Sequence, residues 1–162
     1  MAALFTTALV LALLSVGMTA GAMAVYAHAI MPGLRSCDDR TLVGMMVHAN
    51  REILNGWFIS GFLGTAVFSL AAAILGVTAS GGAVLAWTLV GAAGALSMVV
   101  ITAAVNVPLN NELDDVDVET ASETGLAEAR RRFEARWTKW NTVRAFSAFI
   151  GFAAFAVALA VA

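Results

Sequence analysis

The chain has 162 residues, 60% of them hydrophobic and only 12% charged, with a mean hydropathy of +0.86, whereas a soluble domain carries about 25% charged residues. This is a membrane protein's composition, and its length suits one domain. A net charge of −2, with basic residues not interleaved with stacking aromatics, excludes a nucleic-acid partner. The single cysteine, Cys37, excludes a disulfide framework and quinone-linked dithiol chemistry, and Asp38 and Asp39 make a poor setting for a nucleophilic thiolate.

Four apolar runs long enough to cross a bilayer follow in order: residues 2–30, 56–78, 83–105 and 145–162. None contains a charged side chain. Small-residue triplets at 22–24 and 27–29 resemble signal-peptidase sites, but the first run lacks a basic start and exceeds a usual signal core, so it reads as a span. The second and third runs are joined by ASGG, a tight turn that makes them an antiparallel hairpin. Gly17 with Gly21, Gly91 with Ala95, and Gly61 with Gly64 place small residues where helices meet closely. Such pairs allow a homo-oligomer, but in a bundle they more often mark contacts within one chain. The expected fold is all-α: an integral membrane four-helix bundle with an additional amphipathic interfacial helix.

Four spans put both termini on one side and the polar segments 31–55 and 106–144 on the other. All nine Lys and Arg residues lie in those segments, so the expected placement is a plasma membrane with termini outside and charged loops cytoplasmic. Asp38 or Asp39 is the expected N-cap of a helix that runs into the second span, with His48, Arg51, Glu52 and Asn55 along one face. Pro108 is expected to end the third span near Asn106. After an acidic connection, residues 125–144 form an amphipathic helix that leads into the last span, with Glu128 and Arg132 paired on its solvated face.

Polar residues gather at the cytoplasmic end of the bundle. Asn106, Asn110 and Asn111 can cap and turn the chain at the membrane surface, but Asn106 at the bundle mouth can also face inward. Trp137, Asn141 and Arg144 follow an i, i+4, i+7 course, with Trp140 beside them. An aromatic belt accounts for both tryptophans; it does not account for Asn141, and an inward arginine can hold an anion. His28, two residues after Tyr26, and His48 are the only side chains that ordinarily titrate near neutrality.

Four blocks, MPGL (31–34), NREILN (50–55), NVPLNNEL (106–113) and RWTKWNTVR (136–144), resemble the anthrone oxygenase family of four-span membrane proteins in order and spacing. The resemblance covers nearly the whole chain. It departs at Val47, where the family often has glutamine, and at Asn55-Gly56, where it often has asparagine-proline. It implies oxidation of a polyketide anthrone, or a similar apolar phenolic substrate, by O2.

An anthrone is a flat carbon acid whose anion can itself reduce O2, so no metal or cofactor is required. For such chemistry His48 is the expected general base with His28 second, and Arg144, Asn106 and Asn141 are the expected oxyanion donors. Trp137 and Trp140 are the expected ring-stacking walls, and Asn110, Asn50 and Tyr26 further substrate contacts. Two other readings stay open: a redox protein in which His28 and His48 ligate haem or copper, and a non-catalytic membrane partner. Proton-coupled export lacks an intramembrane carboxylate, zinc hydrolysis lacks a ligand set, and nucleotide use lacks a phosphate loop.

Overall fold

The computed structural model describes residues 1–162 and contains helices without any strand. The helices are α1 (Ala2–Val25), α2 (Met31–Leu34), α3 (Asp39–Glu52), α4 (Gly56–Ala79), α5 (Gly82–Ile101), α6 (Val107–Asp114) and α7 (Glu123–Ala160), with π-helical turns at Tyr26–Ile30 and Thr102–Asn106. Four continuous helical stretches are long and apolar enough to cross a membrane: Ala2–Leu34, Gly56–Ala79, Gly82–Asp114 and Glu123–Ala160. The chain is thus an all-α integral membrane bundle. α1 packs on α4 and α7, and α5 packs on α4 and α7, closing an up-and-down ring. Gly82, the one residue with positive φ (53°), turns the α4–α5 hairpin, a conformation glycine adopts without steric cost.

Pro108 does not end the third span. A proline inside an α-helix removes one hydrogen bond and crowds the carbonyl four residues earlier. Here the turn before it is wound more loosely, so that the Val107 N–H bonds the Thr102 carbonyl five residues back, and the helix continues through Pro108 into α6. The first span does the same: the Met31 N–H bonds the Tyr26 carbonyl and the helix continues through Pro32 into α2. Tyr26 and Thr102 each open a π turn six residues ahead of a proline.

Helix length explains what lies beyond the bilayer. At about 1.5 Å per residue, α4 is about 36 Å long, close to one membrane thickness, whereas α7 is about 57 Å. The surplus of α7 stands beyond the membrane boundary, and the amphipathic segment and the last span are one helix. Met31, Leu42, Val43, Met46, Val47, Leu109, Leu113, Leu126, Phe133 and Trp137 bury their side chains there as a second core, separate from the membrane core around Leu9, Val16, Met98 and Phe155. Asp38 caps α3 by accepting the Thr41 N–H at 2.8 Å. Arg40 ties α3 to the Val118 and Ala121 carbonyls, and Arg130 ties α7 to the carbonyls of Arg35 and Cys37.

α3 does not run into α4. Residues 53–55 separate them, and Asn55, expected on a helix face, is instead the N-cap of α4, accepting the Phe58 N–H at 3.0 Å. Gly56 is the first helical residue, where proline is favoured because its missing N–H would be unpaired in any case. Asn55 already has the extended backbone that precedes proline, φ −87° and ψ 160°, and a Cβ at Gly56 meets nothing within 4 Å. Gly56→Pro is therefore expected to stabilise the protein by about 0.4–1 kcal/mol, read as a higher midpoint of thermal unfolding in detergent.

Candidate functional site

Where the two cores meet, α1, α3, α4, α6, α7 and the two π turns leave a cleft of about 100 Å³. Its wall is apolar through Ala22, Met23, Ile53, Leu54, Phe58 and Val107, and polar through Tyr26, Asn50, Thr102, Asn110, Trp137 and Arg144. Arg144 lies 16 residues before the end of α7, about 24 Å along the helix, which sets the cleft near the edge of the hydrocarbon layer on the side of the charged segments.

Arg144 is buried, at 6% exposure. Its Nε and Nη2 donate to Asn141 Oδ1 at 3.1 and 2.9 Å, and its Nη1 donates to Thr102 Oγ1 at 3.2 Å. The guanidinium lies over the Trp137 ring, 5.4 Å from its centroid, so its positive charge meets an aromatic π-face. These three bonds leave two of its five N–H groups without a protein acceptor. No carboxylate lines the cleft. Buried charges are ordinarily paired; this one is held by neutral dipoles and left open on one side.

Neighbouring residues fix that geometry. Asn141, fully buried, donates to the Met23 carbonyl at 3.0 Å while accepting from Arg144, so it joins α1 to α7 and orients the guanidinium. The Thr102 hydroxyl donates to the Met98 carbonyl at 2.8 Å, leaving its lone pairs toward Arg144. Trp137 is held by Nε1 donation to Asn110 Oδ1 at 2.7 Å and by Phe133 stacked at 5.7 Å. The ring of Tyr26 meets Trp137 at 5.7 Å, tilted by 60°. Asn50 presents a buried amide nitrogen with no acceptor to the same cleft, a donor awaiting a partner.

The expected site residues separate into groups. Tyr26, Asn50, Asn110, Trp137 and Arg144 line the cleft. Asn106 and Asn141 are fully buried behind it. Asn106 Nδ2 donates to the Trp137 carbonyl at 3.4 Å and its Oδ1 has no partner, so these two amides act on the site through α7 and Arg144. Trp140 does not enter the cleft. It is half-buried with Lys139 Nζ 6.0 Å from its ring, because three residues from Trp137 is a lateral step on the helix.

Neither histidine reaches the cleft. His48 is exposed on the far side of α3, in a depression with Arg51, Asp114 and Asp117. His28 is exposed in a groove with Thr142, Phe146 and Phe149. Two residues apart on a helix, Tyr26 and His28 point to opposite faces, and here the tyrosine is the one turned inward. The two imidazoles occupy separate depressions, so they do not form a ligand pair for haem or copper, and His48 is not placed as a base for a molecule in the cleft.

Sequence reasoning missed Thr102, Phe58 and the Met23 carbonyl. Thr102 carried a signal, because it lies six residues before Pro108 just as Tyr26 lies six before Pro32. Phe58 carried none among so many apolar neighbours.

Compared with known proteins, the chain matches the family model described as anthrone oxygenase over residues 56–154. The match takes in α4, α5, the second π turn, α6 and most of α7, and hence Thr102, Asn110, Trp137, Asn141 and Arg144; Tyr26 and Asn50 lie before it. No curated protein and no solved structure matches the chain. With more than half of its residues in that match, the chain belongs to the anthrone oxygenase family.

Proposed function

We propose that the protein is a membrane oxygenase that uses O2 to oxidise a flat, apolar phenolic carbon acid of the anthrone type, bound in the cleft through Arg144. The observation that carries this reading is the buried guanidinium without a carboxylate partner, aimed into an apolar space. Such a group is poised for a negative charge that develops on the ligand, where a water-poor setting makes it most effective. Asn50 adds a second unused donor, and the Trp137 face offers a stacking surface. An engineered cavity of about 150 Å³ takes a benzene ring, so a cleft of about 100 Å³ receives the oxygen-bearing end of a fused-ring molecule while the rest extends past Leu54 and Phe58.

The protein sits in the plasma membrane with both termini outside and the second core in the cytoplasm. The distribution of lysine and arginine supports this orientation, which places the cleft where an apolar substrate arrives from the inner leaflet.

Purified protein in lipid nanodiscs is expected to consume one O2 for each anthrone converted to anthraquinone, with one water formed. Oxygen uptake and quinone absorbance at the rate of protein-free nanodiscs would remove the reading.

A further inference from the structure

We infer that Tyr26 is the proton-transfer residue of this cleft, its phenolate being the base that takes the carbon-bound proton of the substrate; this rests on the proposed function. The expected bases, His28 and His48, open onto other depressions. Among the cleft-lining side chains, Arg144 does not give up its proton, and Asn50, Asn110 and Trp137 are not bases at accessible pH. Thr102 already donates to Met98. Tyr26 alone remains, and it is the chain's only tyrosine.

Its placement fits that role. The π turn that opens at Tyr26 gives the helix its passage through Pro32, and π turns recur at functional sites for the same reason, that they re-aim side chains. The Tyr26 ring packs against Trp137, centroids 5.7 Å apart and tilted by 60°, while Arg144 lies 5.4 Å from the centroid of the same indole. The two therefore share one neighbour in a cleft that no carboxylate lines. A carbon acid whose anion is aromatic has an acidity of the same order as a phenol, so proton transfer between it and tyrosinate is close to balanced, the condition under which a base works well.

The steps balance. The first C–H bond breaks, its proton goes to the Tyr26 oxygen and its electron pair spreads onto the substrate oxygen facing Arg144. That anion forms a C–O bond with O2, which is reduced to the peroxide level and takes the proton back from Tyr26. Tyr26 then removes the second proton from the same carbon as the O–O bond breaks. The carbon leaves as a ketone, and the expelled hydroxide takes the Tyr26 proton to give water.

Anaerobic exchange tests the first step apart from oxygen chemistry. In D2O without O2, the protein in nanodiscs is expected to speed deuterium incorporation at the anthrone methylene, and Tyr26→Phe is expected to lower that acceleration at least about 100-fold, in line with loss of a general base. Tyr26→Phe keeps the ring against Trp137, and its folding is checked by Trp fluorescence and by retained binding of a naphtholate, whose oxygen needs only Arg144. Because Tyr26 is the sole tyrosine, growth on 3-fluorotyrosine labels that position alone and is expected to move the rising limb of the pH–rate profile to lower pH. Exchange and oxidation unchanged in Tyr26→Phe, or a limb unmoved by fluorine, would overturn the assignment and leave the proposed function standing. A wild-type protein that neither exchanges nor oxidises anthrone overturns both. A misfolded Tyr26→Phe leaves the decision to the fluorotyrosine profile.

Discussion

Arg144→Met is expected to lower the rate of anthrone oxidation by about 10²–10³-fold, the usual cost of losing a principal oxyanion donor, while leaving the fold intact or firmer. The two halves of this expectation come from different physics. Catalysis loses the one full positive charge that faces the cleft. Stability loses a desolvated cation that has no ionic partner, and apolar replacement of such a group is often neutral or favourable.

Asn141→Ala behaves in the opposite way. It leaves the guanidinium buried without its main acceptor and the Met23 carbonyl without its donor, a loss of about 2–3 kcal/mol by the usual worth of hydrogen bonds to charged groups. Combining both substitutions is expected to restore most of that stability, because the charge that needed Asn141 is gone, and to restore no activity. Detergent unfolding midpoints of the four proteins form the cycle that measures the coupling. Strictly additive midpoints, or a doubly substituted protein as active as Asn141→Ala, would show that Arg144 is an ordinary buried residue.

The spans were legible in the sequence because apolar runs of this length have one physical meaning in a chain so poor in charge. The gathering of Asn, Trp and Arg at one end of the bundle was legible because helical spacing puts Trp137, Asn141 and Arg144 on one side of α7. Whether they face one another across helices was not, since that depends on crossings set by glycine contacts and on the π turns. Pro108 misled for a definite reason: a proline ends an α-helix only when the preceding turn stays α-helical, and pattern reading has no access to the looser winding at 102–106. The histidines misled because chemical aptitude was weighed ahead of direction, although Tyr26 and His28 cannot face the same way on one helix.

The same limit applies to how close the helices come. The sequence singled out Gly91 and Ala95, which do face Gly151 across the α5–α7 contact, but it missed Gly94, which stands between them and meets the α7 backbone directly. A Cβ on Gly94 would stand 2.7 Å from the Ser147 carbonyl oxygen and 2.8 Å from the Gly151 nitrogen, and one on Gly151 would stand 2.9 Å from the Ala95 nitrogen. All of these are backbone atoms, so nothing yields except the separation of α5 from α7. Alanine gains about 1 kcal/mol over glycine in helix propensity, and overpacking costs about 1–3 kcal/mol. The contact with rigid backbone puts Gly94→Ala and Gly151→Ala on the losing side, and Gly94→Val further along it. Gly21→Ala is the control: no atom lies within 4 Å of its Cβ, so the propensity gain is unopposed and the unfolding midpoint rises. The effect reaches the site because Gly151 lies two turns along α7 from Arg144, whose Nη1 donates at 3.2 Å to Thr102 in the π turn that continues α5. Spreading the pair draws Thr102 away from the guanidinium, so Gly94→Val is expected to lose oxygenase activity at temperatures where it is still folded. A Gly94→Val protein that unfolds no earlier than the parent would mean that the helices do not meet backbone to backbone, and the positioning of Arg144 by α5 would have to be abandoned with them.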